Sequence, residues 1–135
     1  MRGRTTEQVG HVIDVLPTVL ELAGEDVPAG LPGKSLAGLI GEGKPVGERE
    51  LFWEHTGNKA LRQGDWKLVA EAGGAWELFD LGADRNELRN LAGVEVGRTV
   101  RMAKRWRMLA AQMGVVAWES LPQSKRLPTP DYRKK

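Results

Sequence analysis

The chain has 135 residues, of which 41% are hydrophobic and 28% are charged, and its formal net charge is +2. This length allows one modest core, and so small an excess of positive charge predicts no general attraction to nucleic acid. The absence of Cys excludes disulfides, thiolate metal sites and a Cys nucleophile. No apolar run approaches the ~20 residues of a membrane span, and the N-terminal MRGRTTEQVG lacks the apolar stretch of a signal peptide, so localisation stays open.

The segment HVIDVLPTVLELAG predicts the first helix. Pro17 is compatible with a helix only near its start, so we expect the regular part to begin within residues 11–14 and to end at Gly24. The Pro- and Gly-rich stretch that follows predicts a loop, in which Ser35 could cap a short helical turn. The apolar positions that recur at helical spacing in the first helix are Val12, Leu16, Val19, Leu20 and Ala23.

Four strands are predicted next, from ELFWEH, KALRQ, WKLVAEA and AWELFDL. The pair Gly64-Asp65 is typical of a tight hairpin turn, and Gly73-Gly74 marks a second turn. Because short turns join consecutive strands, we expect an antiparallel meander and not a parallel sheet.

The segment LGADRNELRNLAG predicts a turn with an early helical segment, and VGRTVRMAKRWRMLAAQMG predicts the second clear helix. Helix, meander and helix in this order describe an α+β fold, with one antiparallel sheet of about four strands and a packed C-terminal helix. The apolar stripe expected on that helix comprises Val100, Ala103, Trp106, Ala110 and Met113.

His55 is the first candidate for chemistry, because an unperturbed imidazole titrates near neutral pH. Glu54 beside it and Asp65 across the hairpin could orient the ring. A general base also needs a substrate or nucleophile within reach, and the sequence supplies no such geometry. A histidine at a strand end that bonds only to the backbone is therefore the competing interpretation.

The sequence does not match the residue spacing of known metal sites, phosphate-binding loops or serine nucleophile motifs. The two His are far apart and neither belongs to a metal-ligand cluster, so no metal site is predicted. DLGADRNE lacks the spacing of a calcium loop, and GLPGKS lacks the spacing of a phosphate-binding loop. None of the three Ser lies in a Gly-x-Ser-x-Gly elbow.

Four blocks in order carry a family resemblance: HVIDVLPTVLELAG, LPGKSLAGLI, LFWEHTGNKALRQGDWKLV and WELFDLGADRNELRNLA. Together they resemble the C-terminal part of the sulfatases, most closely the arylsulfatase type, from about Arg4 to about Trp118. Sulfatases are similar to alkaline phosphatases in their large α/β domain, which a smaller subdomain with a four-stranded antiparallel sheet and a helix follows. The resemblance implies that residues 1–48 end the large domain, 49–118 form the subdomain and 119–135 form a tail.

The family hydrolyses sulfate esters with a formylglycine nucleophile and a calcium ion, and Lys and His residues help to bind sulfate. The motifs that carry this chemistry precede the region that this chain resembles, so no catalytic residue and no metal ligand is assigned here. SLPQS, at residues 120–124, resembles the formylglycine motif, but it ends in Ser where Arg is required. The resemblance therefore implies calcium and formylglycine only in the missing N-terminal portion.

The strongest block contains the candidate site. The resemblance places the loop from His55 to Asn58 at a strand end, where it can approach the rim of the substrate cleft. We hypothesise that His55 and Asn58 would face substrate if the missing portion were present. The residues expected to build the sheet core are Trp53, Leu61, Trp66, Leu68 and Val69.

The leading interpretation is the C-terminal portion of an arylsulfatase-like sulfuric ester hydrolase that is inactive alone. Its expected partner is the missing N-terminal portion, or a second copy through the apolar face that the portion would leave bare. The alternative is a stand-alone binding module that uses its basic helix and tail for an anionic partner. A third interpretation, a complete small hydrolase that uses His55, would require activity without any partner.

Overall fold

The computed structural model describes residue 3 and residues 5–123 of the chain. It divides into two compact units, Met1–Glu48 and Arg49–Lys135. Most of the predicted tail at 119–135 lies outside the described residues, and so does Ser124 of SLPQS.

The first unit contains a short 3-10 helix, Val12–Asp14, which continues as helix α1, Val15–Ala23, and then helix α2, Ala37–Glu42. Pro17 lies in the first turn of α1, where its missing N–H leaves no hydrogen bond unmade. Gly24 ends the helix with a left-handed φ of 78°, as the sequence predicts. Ser35 Oγ accepts the N–H of Ala37 at 3.1 Å, but the N-cap of α2 is Leu36, which makes no side-chain cap hydrogen bond, so the prediction that Ser35 caps this helix was wrong.

Two buried polar side chains of the first unit tie the chain together. The carboxylate of Asp14 accepts the backbone N–H of His11 at 2.7 Å and that of Lys34 at 2.9 Å. The hydroxyl of Thr18 donates to the carbonyl of Asp14 at 2.6 Å and accepts the N–H of Leu36 at 2.9 Å. These bonds hold residues 34–36 against the polar side of α1.

The second unit is a four-stranded antiparallel meander in the order β1-β2-β3-β4, followed by one long helix. This confirms the predicted α+β fold. The helical segment expected within residues 81–92 was wrong, because that stretch forms successive turns. The elements are β1 Glu50–His55, β2 Asn58–Gln63, β3 Trp66–Ala70, β4 Glu77–Asp80 and α3 Val96–Gln112.

One row of paired residues across the sheet faces α3. Leu61 pairs with Leu68, which pairs with Leu78, and all three are fully buried. Successive strand residues point to opposite faces, so Trp53 and Val69, in the neighbouring row, lie on the other face and are only half-buried. The prediction that these two build the same core as Leu61 and Leu68 was therefore wrong.

Trp106 is the helix residue that joins α3 to the sheet. Its ring stacks on Phe52 with a centroid distance of 5.2 Å, and its Nε1 donates to the carbonyl of Trp53 at 3.1 Å. The predicted apolar stripe was partly wrong, because Val100 and Met113 are exposed. The buried stripe is instead Met102, Ala103, Trp106, Leu109 and Ala110.

The turns after β4 fold back along that strand. The backbone N–H of Leu78 donates to Asn90 Oδ1 at 3.2 Å, and the N–H of Leu91 donates to the carbonyl of Leu78 at 2.7 Å. Asn90 Oδ1 also accepts the N–H of Ala92 at 2.9 Å. The segment that replaces the predicted helix thus bonds to the outer side of β4.

Candidate functional site

The candidate site is the turn between β1 and β2, His55–Asn58. Only Thr56 and Gly57 separate the two strands, and both have left-handed φ values, 53° and 87°. Two left-handed residues are the signature of a tight hairpin turn whose twist matches the strands. Gly57 suits this conformation, whereas Thr56 is β-branched and is strained there by about 1–2 kcal/mol.

Hydrogen bonds hold the turn in place from two sides. The carboxylate of Glu54 accepts the N–H of Gly57 at 2.8 Å. The side-chain amide of Asn58 donates through Nδ2 to the carbonyl of His55 at 3.0 Å and accepts the N–H of Ala72 through Oδ1 at 3.2 Å. Both ends of the Asn58 amide therefore bond within the protein, which links the turn to the segment after β3.

Gly57 is also required by its surroundings. A Cβ atom built on this residue would lie 2.9 Å from the Cβ of Ala72 and 3.1 Å from the Cβ and Cδ1 atoms of Trp118. The short 3-10 helix Trp118–Ser120 therefore packs directly over the turn. No larger residue fits at position 57 unless one of these neighbours moves.

His55 is exposed at the end of β1, and its Nδ1 lies 3.3 Å from the hydroxyl of Thr56. The two carboxylates expected to orient its ring do not do so. Glu54 bonds to Gly57, and Asp65 lies in the turn at the other end of β2, about 20 Å away at the rise of a six-residue strand. The structure thus assigns the orienting contact to Thr56, which the sequence reasoning missed.

An open groove of about 530 Å³ lies beside Asn58, where the ends of β2 and β3 meet the turn that leads to β4. Its polar lining includes Lys59, Glu71 and Glu77. The small residues Gly74 and Ala75, which follow from the predicted Gly73-Gly74 turn, lie along one wall of this groove.

The cations of α3 fall into two groups. Arg105 binds Glu50 at 2.8 Å from Nη2 to Oε1, and this hydrogen bond and the charge of Glu50 raise the pKa of the Arg105 guanidinium. Arg98 lies over the ring of Trp66 at 4.0 Å. The others are exposed, and none makes an ion pair with another residue in the part of the chain that the structure describes: Arg101, Lys104 and Arg107.

Across residue 3 and residues 5–123, no three His, Asp or Glu side chains come together in a way that could hold a metal ion. Over the same span, no helix has the length and apolar character needed to cross a membrane.

Comparison with known proteins places these elements in a family. Residues 1–113 match the family model described as N-sulphoglucosamine sulphohydrolase, C-terminal. The chain is 38% identical over 122 residues to an uncharacterised sulfatase of Schizosaccharomyces pombe, covering 78% of this chain and 22% of that protein. It is 32% identical over 124 residues to arylsulfatase K of Xenopus laevis, covering 79% and 23%.

The fold is similar to that of BT4656, solved in complex with its substrate D-glucosamine-2-N,6-O-disulfate. The TM-score is 0.60 at 20% identity, covering 80% of this chain and 25% of that one. The chain belongs to the sulfatase family, within the alkaline phosphatase-like superfamily, and corresponds to its C-terminal region. It spans less than a quarter of the length of the two curated relatives above.

Proposed function

We propose that this chain is the C-terminal portion of an arylsulfatase-like sulfuric ester hydrolase and acts only together with the N-terminal portion of such an enzyme. In this proposal residues 1–48 end the large domain and residues 49–118 form the subdomain. The formylglycine nucleophile and calcium belong to the other portion. The match to the C-terminal family model and the short coverage of the relatives support this division.

The observation that carries the proposal is the orientation of α1 within the first unit. Its polar side is buried: Asp14 is 0% and Thr18 is 7% exposed. Its apolar side faces outward, and single soluble domains rarely leave such a stripe uncovered. The exposed residues occupy one helix face at spacings of three and four: Val12 at 77%, Val15 at 59%, Leu16 at 54%, Val19 at 57% and Leu22 at 63%.

The N-terminal portion of the enzyme is the occupant that we propose for this apolar face. A second copy of the chain is the competing occupant. Val19→Glu places a charge in the middle of the face, whereas Glu21→Gln changes an exposed residue of the same helix outside it. We expect Val19→Glu to abolish association with the N-terminal portion and Glu21→Gln to leave it unchanged.

The direct test is hydrolysis of a chromogenic aryl sulfate with calcium present. The 135-residue chain is assayed alone and then in cells that also carry the adjacent upstream coding sequence. We expect activity only in the second case, and we expect Val19→Glu to reduce it. Activity of the purified chain alone would refute the proposal. Dimers in light scattering that Val19→Glu dissociates, without any effect on the combined assay, would point to the second copy.

His55 and Asn58 form the proposed contribution to the rim of the substrate cleft. The exposed ring of His55 supports a contact with substrate, and the internal bonds of Asn58 support a role in holding the turn. In the complete enzyme, replacing both should change selectivity between sulfate esters. Arg62→Lys, at a half-buried position toward the other end of the same strand pair, is the control. Unchanged selectivity in the double variant would rule out the rim role.

A specific observation favours a second candidate function, a stand-alone module that binds an anionic partner. No Asp or Glu occurs from Val96 to Trp118, and three cations of α3 remain exposed. Arg107→Glu should then weaken salt-sensitive binding to a sulfated polysaccharide, DNA or RNA, and Arg89→Glu should not. Equal effects of the two variants would leave only a solvated basic helix face.

A further inference from the structure

The hydroxyl of Thr56 has a bonding pattern that determines where His55 can carry its proton. The Thr56 Oγ1 lies 2.7 Å from the carbonyl oxygen of His55, 3.3 Å from the Asn58 Nδ2 and 3.3 Å from the His55 Nδ1. A carbonyl can only accept and an amide nitrogen can only donate, so these two partners fix the role of the hydroxyl toward each. The hydroxyl could still either donate a hydrogen bond to the imidazole Nδ1 or accept one from it.

The hydrogens available to the Thr56 hydroxyl determine which atom donates in its contact with His55. The single hydroxyl hydrogen of Thr56 is donated to the carbonyl of His55. The orientation of the Asn58 amide is fixed independently, because its Oδ1 accepts the backbone N–H of Ala72. Its Nδ2 therefore donates to the hydroxyl oxygen. One lone pair of that oxygen remains, and it can only accept, so the Nδ1 of His55 must carry a hydrogen.

We propose that Thr56 is a positioning residue that holds neutral His55 as its Nδ1–H tautomer and so presents the unprotonated Nε2 to solvent. The backbone strain of Thr56 fits this role, since Gly or Asn would occupy the left-handed turn position at lower cost but without this hydroxyl. This tautomer is a property of the chain itself, whereas its effect on substrate recognition rests on the proposed rim role of His55.

In that role, the tautomer sets the chemistry that the rim recognises. An unprotonated Nε2 accepts a hydrogen bond, so it favours a hydroxyl or amide N–H group of the substrate close to the sulfate ester. The opposite tautomer would present an N–H instead and would favour an acceptor group. Thr56 would thereby select donor groups on the substrate without touching the substrate.

The other histidine of the chain provides an internal control. The Nδ1 of His11 lies 3.3 Å from the backbone nitrogen of Ile13, which can only donate. The Nδ1 of neutral His11 must therefore be unprotonated, and its hydrogen resides on Nε2. The two histidines are expected to be opposite tautomers in the same molecule.

The experiment is ¹⁵N NMR of the imidazole nitrogens in the full chain at a pH of about 8.5, well above the ordinary pKa of imidazole. Nitrogen shifts and two-bond couplings distinguish protonated from unprotonated ring nitrogens. We expect Nδ1–H for His55 and Nε2–H for His11. Thr56→Gly removes the hydroxyl and relieves the strain, so it should fold, and it should shift the His55 tautomer ratio by about fivefold toward Nε2–H.

Thr56→Ser keeps the hydroxyl and should restore the wild-type ratio, while His11 should not change in either variant. Nε2–H as the main tautomer of wild-type His55 would overturn the proposal. So would a Thr56→Gly ratio equal to that of wild type. The selectivity assay on the complete enzyme is separate, so failure of the rim role would leave the tautomer result standing.

Discussion

The carboxylate of Asp14 accepts the backbone N–H of Lys34 at 2.9 Å, across twenty residues of sequence. The side chain is fully buried, so water cannot replace this bond. The contact closes the loop between α1 and α2 and fixes the side of α1 that faces inward. The outward orientation of its apolar stripe depends on this one carboxylate and on Thr18.

Asp14→Ala should therefore release residues 34–36. It removes the acceptor that the partly buried backbone N–H groups of His11 and Lys34 share, for an expected loss of about 1–3 kcal/mol in the local opening free energy. Amide hydrogen exchange of Lys34 measures this directly. Asp26→Asn alters an exposed carboxylate of the same unit and should change exchange at Lys34 by less than about 0.5 kcal/mol.

Gly33→Ala tests the closeness of the same loop to α1. A Cβ on Gly33 would collide with the carbonyl oxygen of Ile13, which is backbone and cannot move aside alone. We expect a loss of more than about 3 kcal/mol in the stability of the first unit. Gly41→Ala is the matched control, since nothing lies within 4 Å of its added Cβ and it lies in α2. It should stabilise the unit slightly. Similar thermal shifts for both variants would contradict the close approach.

A second matched pair of glycines consists of Gly57, in the turn at the candidate site, and Gly64, in the turn between β2 and β3. Gly57 and Gly64 both have left-handed φ, but only Gly57 is crowded, by Ala72 and Trp118. Gly64→Ala should cost about 1 kcal/mol from backbone strain alone. Gly57→Ala should add about 1–3 kcal/mol for the steric contact. Urea denaturation followed by Trp fluorescence gives both values, and equal losses would show that Trp118 does not cover the turn.

Among the residues of the second unit, Trp106 should contribute most to the free energy of unfolding. Trp106→Ala removes the stack on Phe52 and the hydrogen bond to the carbonyl of Trp53, and it should cost about 3–5 kcal/mol. Such a loss is a large part of the stability of a small domain. Met108→Ala, at a half-exposed position of the same helix, should cost less than about 0.5 kcal/mol. Circular dichroism melting curves would compare the stabilities of the two variants. A loss for Trp106→Ala as small as that for Met108→Ala would show that Trp106 does not hold α3 on the sheet.

Local signals predicted the elements well where they were strong. Alternating apolar strands with Gly-containing turns predicted the meander, and Pro17 and Gly24 predicted where α1 starts and ends. The errors arose where partners are distant in sequence. The stripe of α3 was assigned from spacing alone, but the sheet selects Met102 and Leu109 over Val100 and Met113. Both sets have helical spacing, so only the tertiary contact decides.

The position of the candidate site could be predicted from the sequence, but the hydrogen bonds of its side chains could not. The sequence predicted a loop that carries His55 and Asn58 at a strand end. It could not predict that Asn58 reaches Ala72, since this contact follows from the register of β2 and β3. The predicted Gly64-Asp65 turn already implied that Asp65 lies at the other end of β2 from His55. One local signal was available: Thr before Gly in a two-residue hairpin requires a left-handed Thr, which is unusual enough to indicate a special role.

The bonds along the outer side of β4 affect how the chain behaves in a crowded solution. Edge strands recruit strands from other molecules because they offer unpaired N–H and C=O groups. At Leu78 both groups are already occupied, by Asn90 and by Leu91. A foreign strand would have to displace these bonds before it could add to the sheet there. Residues 90–91 thus act as a gatekeeper against amyloid-like growth from this edge.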